Sequence, residues 1–167
     1  MPSLFNVVLV APQIPNNTGN IGRTCVATGS SLHLVHPLAF DTSEKACRRA
    51  GLDYWPRLSV HEHPSWDAFL ETVQPAPVWL FTTKSSRPVF DAPLRPGDWL
   101  IFGNETQGLP PEILNRYPDR LLTLPMVPSE RSLNLATAVC SVVYEGVRQA
   151  LAVGGATLDG QGRLVVP

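Results

Sequence analysis

The sequence is poor in features that mark several protein classes. Among its 167 residues are only three cysteines, Cys25, Cys47 and Cys140, an odd number with no C-x-x-C spacing. Neither a disulfide framework nor a zinc knuckle is expected, and a reduced, cytoplasmic setting fits best. Net charge is almost absent as well, with 13 Lys and Arg against 14 Asp and Glu and a formal charge of −1. A dedicated nucleic-acid binder usually carries a basic excess, so any RNA contact must come from a local patch. There is no long apolar run. Leu4–Val10 is interrupted by Asn6 and has no basic segment before it, which predicts neither an export signal nor a membrane span. The glycine-rich phosphate loops, the G-x-S-x-G elbow and the H-E-x-x-H zinc motif are missing. His33, His36, His61 and His63 have no Cys or carboxylate at supporting spacing, so no metal is expected.

What remains is a chain built for a core. Apolar residues make up 44%, and 17 prolines are spread along the sequence rather than clustered, which excludes a disordered segment. A chain of this length buries roughly 70% of its unfolded surface as one domain. Leu4–Val10, Leu32–Val35, Val78–Thr82, Trp99–Phe102 and Leu121–Leu124 read as buried strands. Between them lie helix signals. One helix is capped by Asn17 or Thr18 and stopped by Gly29; another runs through Glu44–Ala50 behind Asp41, Thr42 and Ser43. Ser65 caps Trp66–Val73, Pro110-Pro111-Glu112 opens Ile113–Arg116, and Ala136, Val139, Cys140, Val143, Val147 and Leu151 stripe the longest helix. This alternation predicts an α/β fold, a mostly parallel sheet with helices on both faces. Residues 1–152 form the domain, and residues 153–167 read as a loose, Gly-rich tail with one added strand, Leu164–Val166.

Ligands of such sheets bind beyond the carboxyl ends of strands, where three loops carry the chemistry. Pro12–Arg23 joins a strand to a helix start, and Gly19 and Arg23 suit an anion there; a capped helix with a surface Arg explains the loop equally well. In Phe102–Pro110, Gly103 and Gly108 bracket a bend whose sole charge, Glu105, reads as solvated by default. In Leu124–Asn134, Ser132 and Asn134 can both cap the long helix, and Pro125 and Pro128 stiffen its approach.

Taken in order, Asn17-Thr18-Gly19-Asn20-Ile21-Gly22-Arg23, Gly103-Asn104-Glu105-Thr106-Gln107-Gly108-Leu109-Pro110 and the segment from Pro125-Met126 through Arg131-Ser132-Leu133-Asn134 to Val139 resemble the three motifs of the SPOUT superfamily of knotted methyltransferases. The single-domain length and Arg48-Arg49-Ala50-Gly51-Leu52-Asp53-Tyr54 are most similar to its tRNA 2′-O-methyltransferases acting on the wobble cytidine or uridine. The resemblance implies a trefoil knot near the C-terminus, S-adenosylmethionine as cofactor, and a homodimer with its active site at the subunit interface. It implies cofactor contacts at Phe81, Thr82, Gly103, Glu105, Leu124, Met126, Ser132 and Leu133, and catalytic positions at Arg23, Ser132 and Asn134. It implies a tRNA substrate, with RNA contacts at Arg48, Arg49 and Tyr144. For Tyr144 core packing competes, and the basic cluster of Lys45, Arg48, Arg49 and Arg57 also suits a solvated face. A methyltransferase of another tRNA or rRNA ribose, or a non-catalytic RNA-binding module of the same fold, remain alternatives.

Overall fold

The computed structural model describes residues 3–74 and 77–166, with the side chains of Glu44 and Arg48 outside that description. Six strands, β1 (Asn6–Val10), β2 (Ser31–Val35), β3 (Val60–His63), β4 (Val78–Phe81), β5 (Trp99–Phe102) and β6 (Leu121–Leu122), form one sheet in the order β3-β2-β1-β5-β4-β6, and every pairing in it is parallel. The helices are α1 (Pro15–Thr28), α2 (Glu44–Arg49), α3 (Trp66–Val73), α4 (Pro111–Arg116) and α5 (Leu135–Ala152).

Pleating explains why helices cover both faces. Along β1, Val7 and Leu9 point into a core shared with Ile21 and Cys25 of α1 and Val139, Val142 and Val143 of α5. Val8 and Val10 point the other way, onto Phe69 of α3 and Ile113 and Leu114 of α4. Burial pushes the Cys25 thiol up to about 12, leaving it an inert core residue.

Four local expectations need correction. Asn17 and Thr18 do not cap α1: Pro15 takes its first position, which wastes no donor, and the N-cap Ile14 has no capping side chain. Asn134 alone caps α5, accepting from Thr137 N at 3.2 Å, and Ser132 does not. The buried stripe of α5 is Val139, Val142, Val143, Gly146, Val147 and Ala150, so Cys140 and Leu151 lie at its margin. The tail is not loose. Strands β7 (Thr157–Leu158) and β8 (Leu164–Val165) pair as an antiparallel hairpin, Ala156 is buried, and Leu164 and Val166 pack on the α1–α5 core. The sequence pattern also misses β3, because its edge position exposes His61 and Glu62 and erases any apolar alternation.

A hydrogen-bonded chain runs from β1 across β2 to that edge. Asn6 donates from Nδ2 to Gly97 O at 2.9 Å, and Ser31 donates to Asn6 Oδ1 at 2.8 Å. Ser31 Oγ is then left to accept from His33 Nε2 at 3.2 Å, which leaves His33 Nδ1 to accept from His63 Nε2 at 3.0 Å. Burial together with the nearby His61 and His63 pulls the His33 pKa down to about 3, which keeps the ring neutral. The unfolded chain instead protonates this imidazole below about pH 6.5, so the stability attached to His33 is present above that pH and lost as pH falls. Between pH 6.5 and 5 the protein should lose about 2 kcal/mol more than His33→Gln does, read from urea titrations at each pH. Equal losses would mean that the fold accepts the proton at His33.

Candidate active site

Parallel pairing brings the carboxyl ends of β1, β4, β5 and β6 to one edge of the sheet, and the loops that leave β4, β5 and β6 enclose a cleft of about 480 Å³. Phe81, Thr82, Gly103, Glu105, Leu124, Met126, Ser132 and Leu133 all line it, although they come from three separate stretches of chain. Lys84, Asn104 and Arg131 line it too, and sequence reasoning passed over them because no local signal separates them from surface residues.

Local geometry shapes the walls. Phe81 and Phe102 are register partners at the ends of β4 and β5, and their rings stack with centroids 4.7 Å apart. Immediately after, Gly103 lies against the return of its own loop. A Cβ there would sit 1.9 Å from Gly108 C and 2.1 Å from Leu109 N. The loop closes through Gly108 N to Asn104 O at 3.1 Å, with Gly108 in the left-handed region (φ 70°). Asn104 Oδ1 accepts from the backbone of Thr106 and Gln107 at 3.2 and 2.8 Å.

Glu105 is not a solvated loop carboxylate. Its Oε2 accepts from Gln13 N at 2.8 Å, and its Oε1 accepts from Ile14 N at 2.9 Å and Asn17 Nδ2 at 3.2 Å. The expectation that the first loop binds an external anion is therefore corrected: donors at the start of α1 are taken by a carboxylate of the same chain. Gly19 does not serve an anion either, since it lies inside α1 against Leu52 and Tyr54. Asn134 Nδ2 donates to Asn17 Oδ1 at 2.9 Å, so Glu105, Asn17 and Asn134 link the three loops in one line.

Burial pushes the Glu105 carboxyl up, but the N–H groups of Gln13 and Ile14 and the Asn17 amide outweigh it and hold it below its ordinary range. A depressed carboxylate stabilises the fold above the unfolded pKa and stops doing so as pH falls through the folded one. Glu105→Ala should therefore lose about 2–3 kcal/mol at neutral pH, and the deficit should shrink below about pH 4. Thermal melts of both proteins across that range are the check; a deficit independent of pH would mean the charge is irrelevant.

Arg23 stands apart from the cleft. It projects from α1 with its side chain 64% exposed, its guanidinium 4.6 Å from the Tyr54 ring centroid and 4.0 Å from Asp53. Tyr144 is 52% exposed on α5, which excludes core packing for it. Lys45, Arg49 and Arg57 are exposed, and the Arg48 side chain lies outside the described residues. Among the described residues no three side chains are grouped to hold a metal ion, and no helix is long and apolar enough to cross a membrane.

Residues 4–144 match the family model described as SpoU rRNA Methylase. The chain is 50% identical over 156 residues to the tRNA (cytidine(34)-2'-O)-methyltransferase of Burkholderia cenocepacia, covering 92% of this chain and all of that one. With the enzyme of the same name from Escherichia coli K12 it shares 45% identity over 156 residues, 93% of this chain and 99% of the relative. A solved structure reported for the 2-OH methylation of C/U34 on tRNA superposes with a TM-score of 0.83 at 43% identity, covering 91% of this chain and 99% of that one. The SpoU methyltransferase AviRb from Streptomyces viridochromogenes, solved with AdoMet, superposes with a TM-score of 0.76 at 27% identity, over 91% of this chain and 63% of that one.

Proposed function

The chain belongs to the SpoU methylase family, and from that membership we propose that it transfers a methyl group from S-adenosylmethionine to the ribose 2′-hydroxyl of the wobble nucleotide, cytidine or modified uridine 34, of tRNA-Leu isoacceptors. The observation that carries this reading is the convergence of the eight expected cofactor contacts on one cleft. Their chemistry suits the cofactor. Phe81, Leu124, Met126 and Leu133 offer apolar surface for an adenosine, and Thr82, Ser132 and the loop backbone offer polar partners for its edges. When bound, S-adenosylmethionine supplies an electrophilic methyl group.

The remaining chemistry falls to the protein. A ribose hydroxyl is a weak nucleophile and must be aligned and stabilised as it loses its proton. The resemblance assigns that task to Arg23, which would act electrostatically, because a guanidinium stays protonated and makes a poor base. It would donate to the 2′-oxygen or the adjacent phosphate as negative charge develops, with the proton leaving to phosphate or water. Asn134 holds the start of α5 through Asn17, and Ser132 lines the cleft beside it. Arg48, Arg49 and Tyr144 are assigned to RNA contact.

Arg23 lies outside the cleft of its own chain, so this assignment needs a second copy to complete the site. Exposed Ile14, Val127, Leu133 and Tyr144 support a homodimer with the site at its interface. The same reading gives residues 1–152 a trefoil knot near their C-terminal end and makes 153–167 an appended hairpin.

Incubating the purified protein with labelled S-adenosylmethionine and tRNA-Leu, then mapping the product by mass spectrometry, tests the proposal. A 2′-O-methylpyrimidine at position 34 is expected; methylation only at another nucleotide would overturn the target, and none at all would overturn the activity.

A further inference from the structure

An arginine on a helix surface is a poor preset donor, because its long stem leaves the guanidinium free to wander. Beside Arg23, the segment Leu52–Leu58 lies directly on α1, where two glycines admit it. A Cβ on Gly19 would stand 3.4 Å from Leu52 Cδ1, and a Cβ on Gly22 would stand 2.9 Å from Leu58 Cδ2 and 3.0 Å from Trp55 Cζ3. Tyr54 belongs to this segment and is only 3% exposed, so it has almost no surface left with which to touch RNA itself.

Tyr54 meets Arg23 at both ends of the side chain. Its hydroxyl donates to Gly19 O, and in an α-helix that carbonyl also accepts from the N–H four residues on, which is that of Arg23. Burial raises the Tyr54 phenol above its ordinary range, so the hydroxyl stays a donor at every working pH. At the other end the guanidinium lies over the Tyr54 ring, with Cζ 4.6 Å from the centroid. Asp53, the neighbour of Tyr54 in the chain, stands 4.0 Å from Arg23 Nη2, beyond hydrogen-bond distance, so it attracts the charge without taking a donor. A cation held by a ring face keeps the N–H groups in its own plane for another acceptor.

Resting on the methyltransferase reading, we propose that Tyr54 is a positioning residue for methyl transfer: its ring presets the Arg23 guanidinium, donors unspent, for the ribose oxygen or its phosphate. Tyr54 touches neither substrate nor cofactor and acts only through Arg23. Presetting a donor removes the ordering that would otherwise fall within the reaction step, so its effect belongs to turnover and not to binding.

Two measurements test this with the intact protein. Tyr54→Met fills the space without an aromatic face, and Tyr54→Phe keeps the face without the hydroxyl. Tyr54→Met should lower kcat about tenfold, within the range of a cation–π contact, and Tyr54→Phe about threefold or less. The KM for tRNA and the affinity for S-adenosylmethionine, the latter followed by calorimetry, should change by less than about twofold. In an Arg23→Ala background Tyr54→Met should cost no further kcat, because a residue that acts through Arg23 then has nothing to position. Losses that multiply, or a folded Tyr54→Met that turns over like the natural chain, would overturn the proposal. Proton NMR of the natural protein is the second measurement. The Arg23 δ-methylene signals, identified by their loss in Arg23→Ala, should lie upfield of the other arginines through the Tyr54 ring current; signals at the ordinary position would overturn it even if Tyr54→Met does not fold. If Arg23→Ala is impaired and folded Tyr54→Met is not, the positioning role falls and the activity stands. If Arg23→Ala turns over normally, or the natural chain methylates no tRNA, the proposal falls with the reading beneath it.

Discussion

Alanine at Gly103 should abolish cofactor binding and methyl transfer and cost at least about 3 kcal/mol of stability, more than its single added carbon would suggest. The added Cβ would meet Gly108 C at 1.9 Å, Leu109 N at 2.1 Å and Gly108 O at 2.4 Å, all of them backbone atoms. A side chain in that position could rotate away; a peptide unit moves only if the loop opens. Opening it would also pull Glu105 from the start of α1, so the deficit spreads to the loop after β1. For a domain of this size the loss corresponds to a melting point lower by about 6–12 °C. Gly108→Ala is the internal control. It meets no atom but needs a left-handed backbone, φ 70°, and should cost only about 1 kcal/mol. A Gly103→Ala protein that melts with the parent and binds S-adenosylmethionine normally would refute this account of the loop.

Arg23→Ala should lower kcat by about 10²–10³ while leaving fold and cofactor affinity intact, the size seen when one preorganised donor to a developing oxyanion is removed. The fold should not notice, because the side chain is 64% exposed and its contacts are a 4.0 Å approach to Asp53 and a stack on Tyr54. Its place outside the cleft adds a sharper expectation. Mixing Arg23→Ala with Thr82→Trp, which blocks the cleft but keeps Arg23, should restore about one quarter of the natural activity. Half of randomly formed dimers pair one chain of each kind, and each such dimer holds one complete site. No recovery on mixing would place Arg23 and the cleft within the same chain. Normal turnover by Arg23→Ala itself would remove its catalytic role.

Much of the architecture is legible in the chain because its causes are local. The apolar run ending at Val10 can only be buried on both faces, which is why it became a central parallel strand. Ser65 does cap its helix, accepting from Ala68 N at 3.1 Å, and Gly29 does end α1 in a left-handed conformation. Edge positions were harder. Strand β3 leaves both His61 and Glu62 exposed, one on each face, and nothing in Val60–His63 distinguishes an edge strand from a loop until β2 supplies the partner.

By itself the sequence determined the alternation of strands and helices, the caps, the glycine turns and the residue types that could gather at the carboxyl end of the sheet, since all of these follow from near neighbours. Tertiary structure alone decided which donors those residues meet. The start of α1 attracts an anion, as its residues suggest, but the anion is Glu105, about ninety residues away in the chain. Asn134 caps its own helix, as expected, and also reaches Asn17 across 117 residues. His33 is neutral because burial and the neighbouring His61 and His63 disfavour its charge, and Thr18 is buried without a partner because the Phe40–Trp55 segment folds over it. Hydropathy and local propensity record that a residue will be buried or will turn. Hydrogen bonds between distant loops depend on directions and distances that exist only once the sheet has brought the strand ends together.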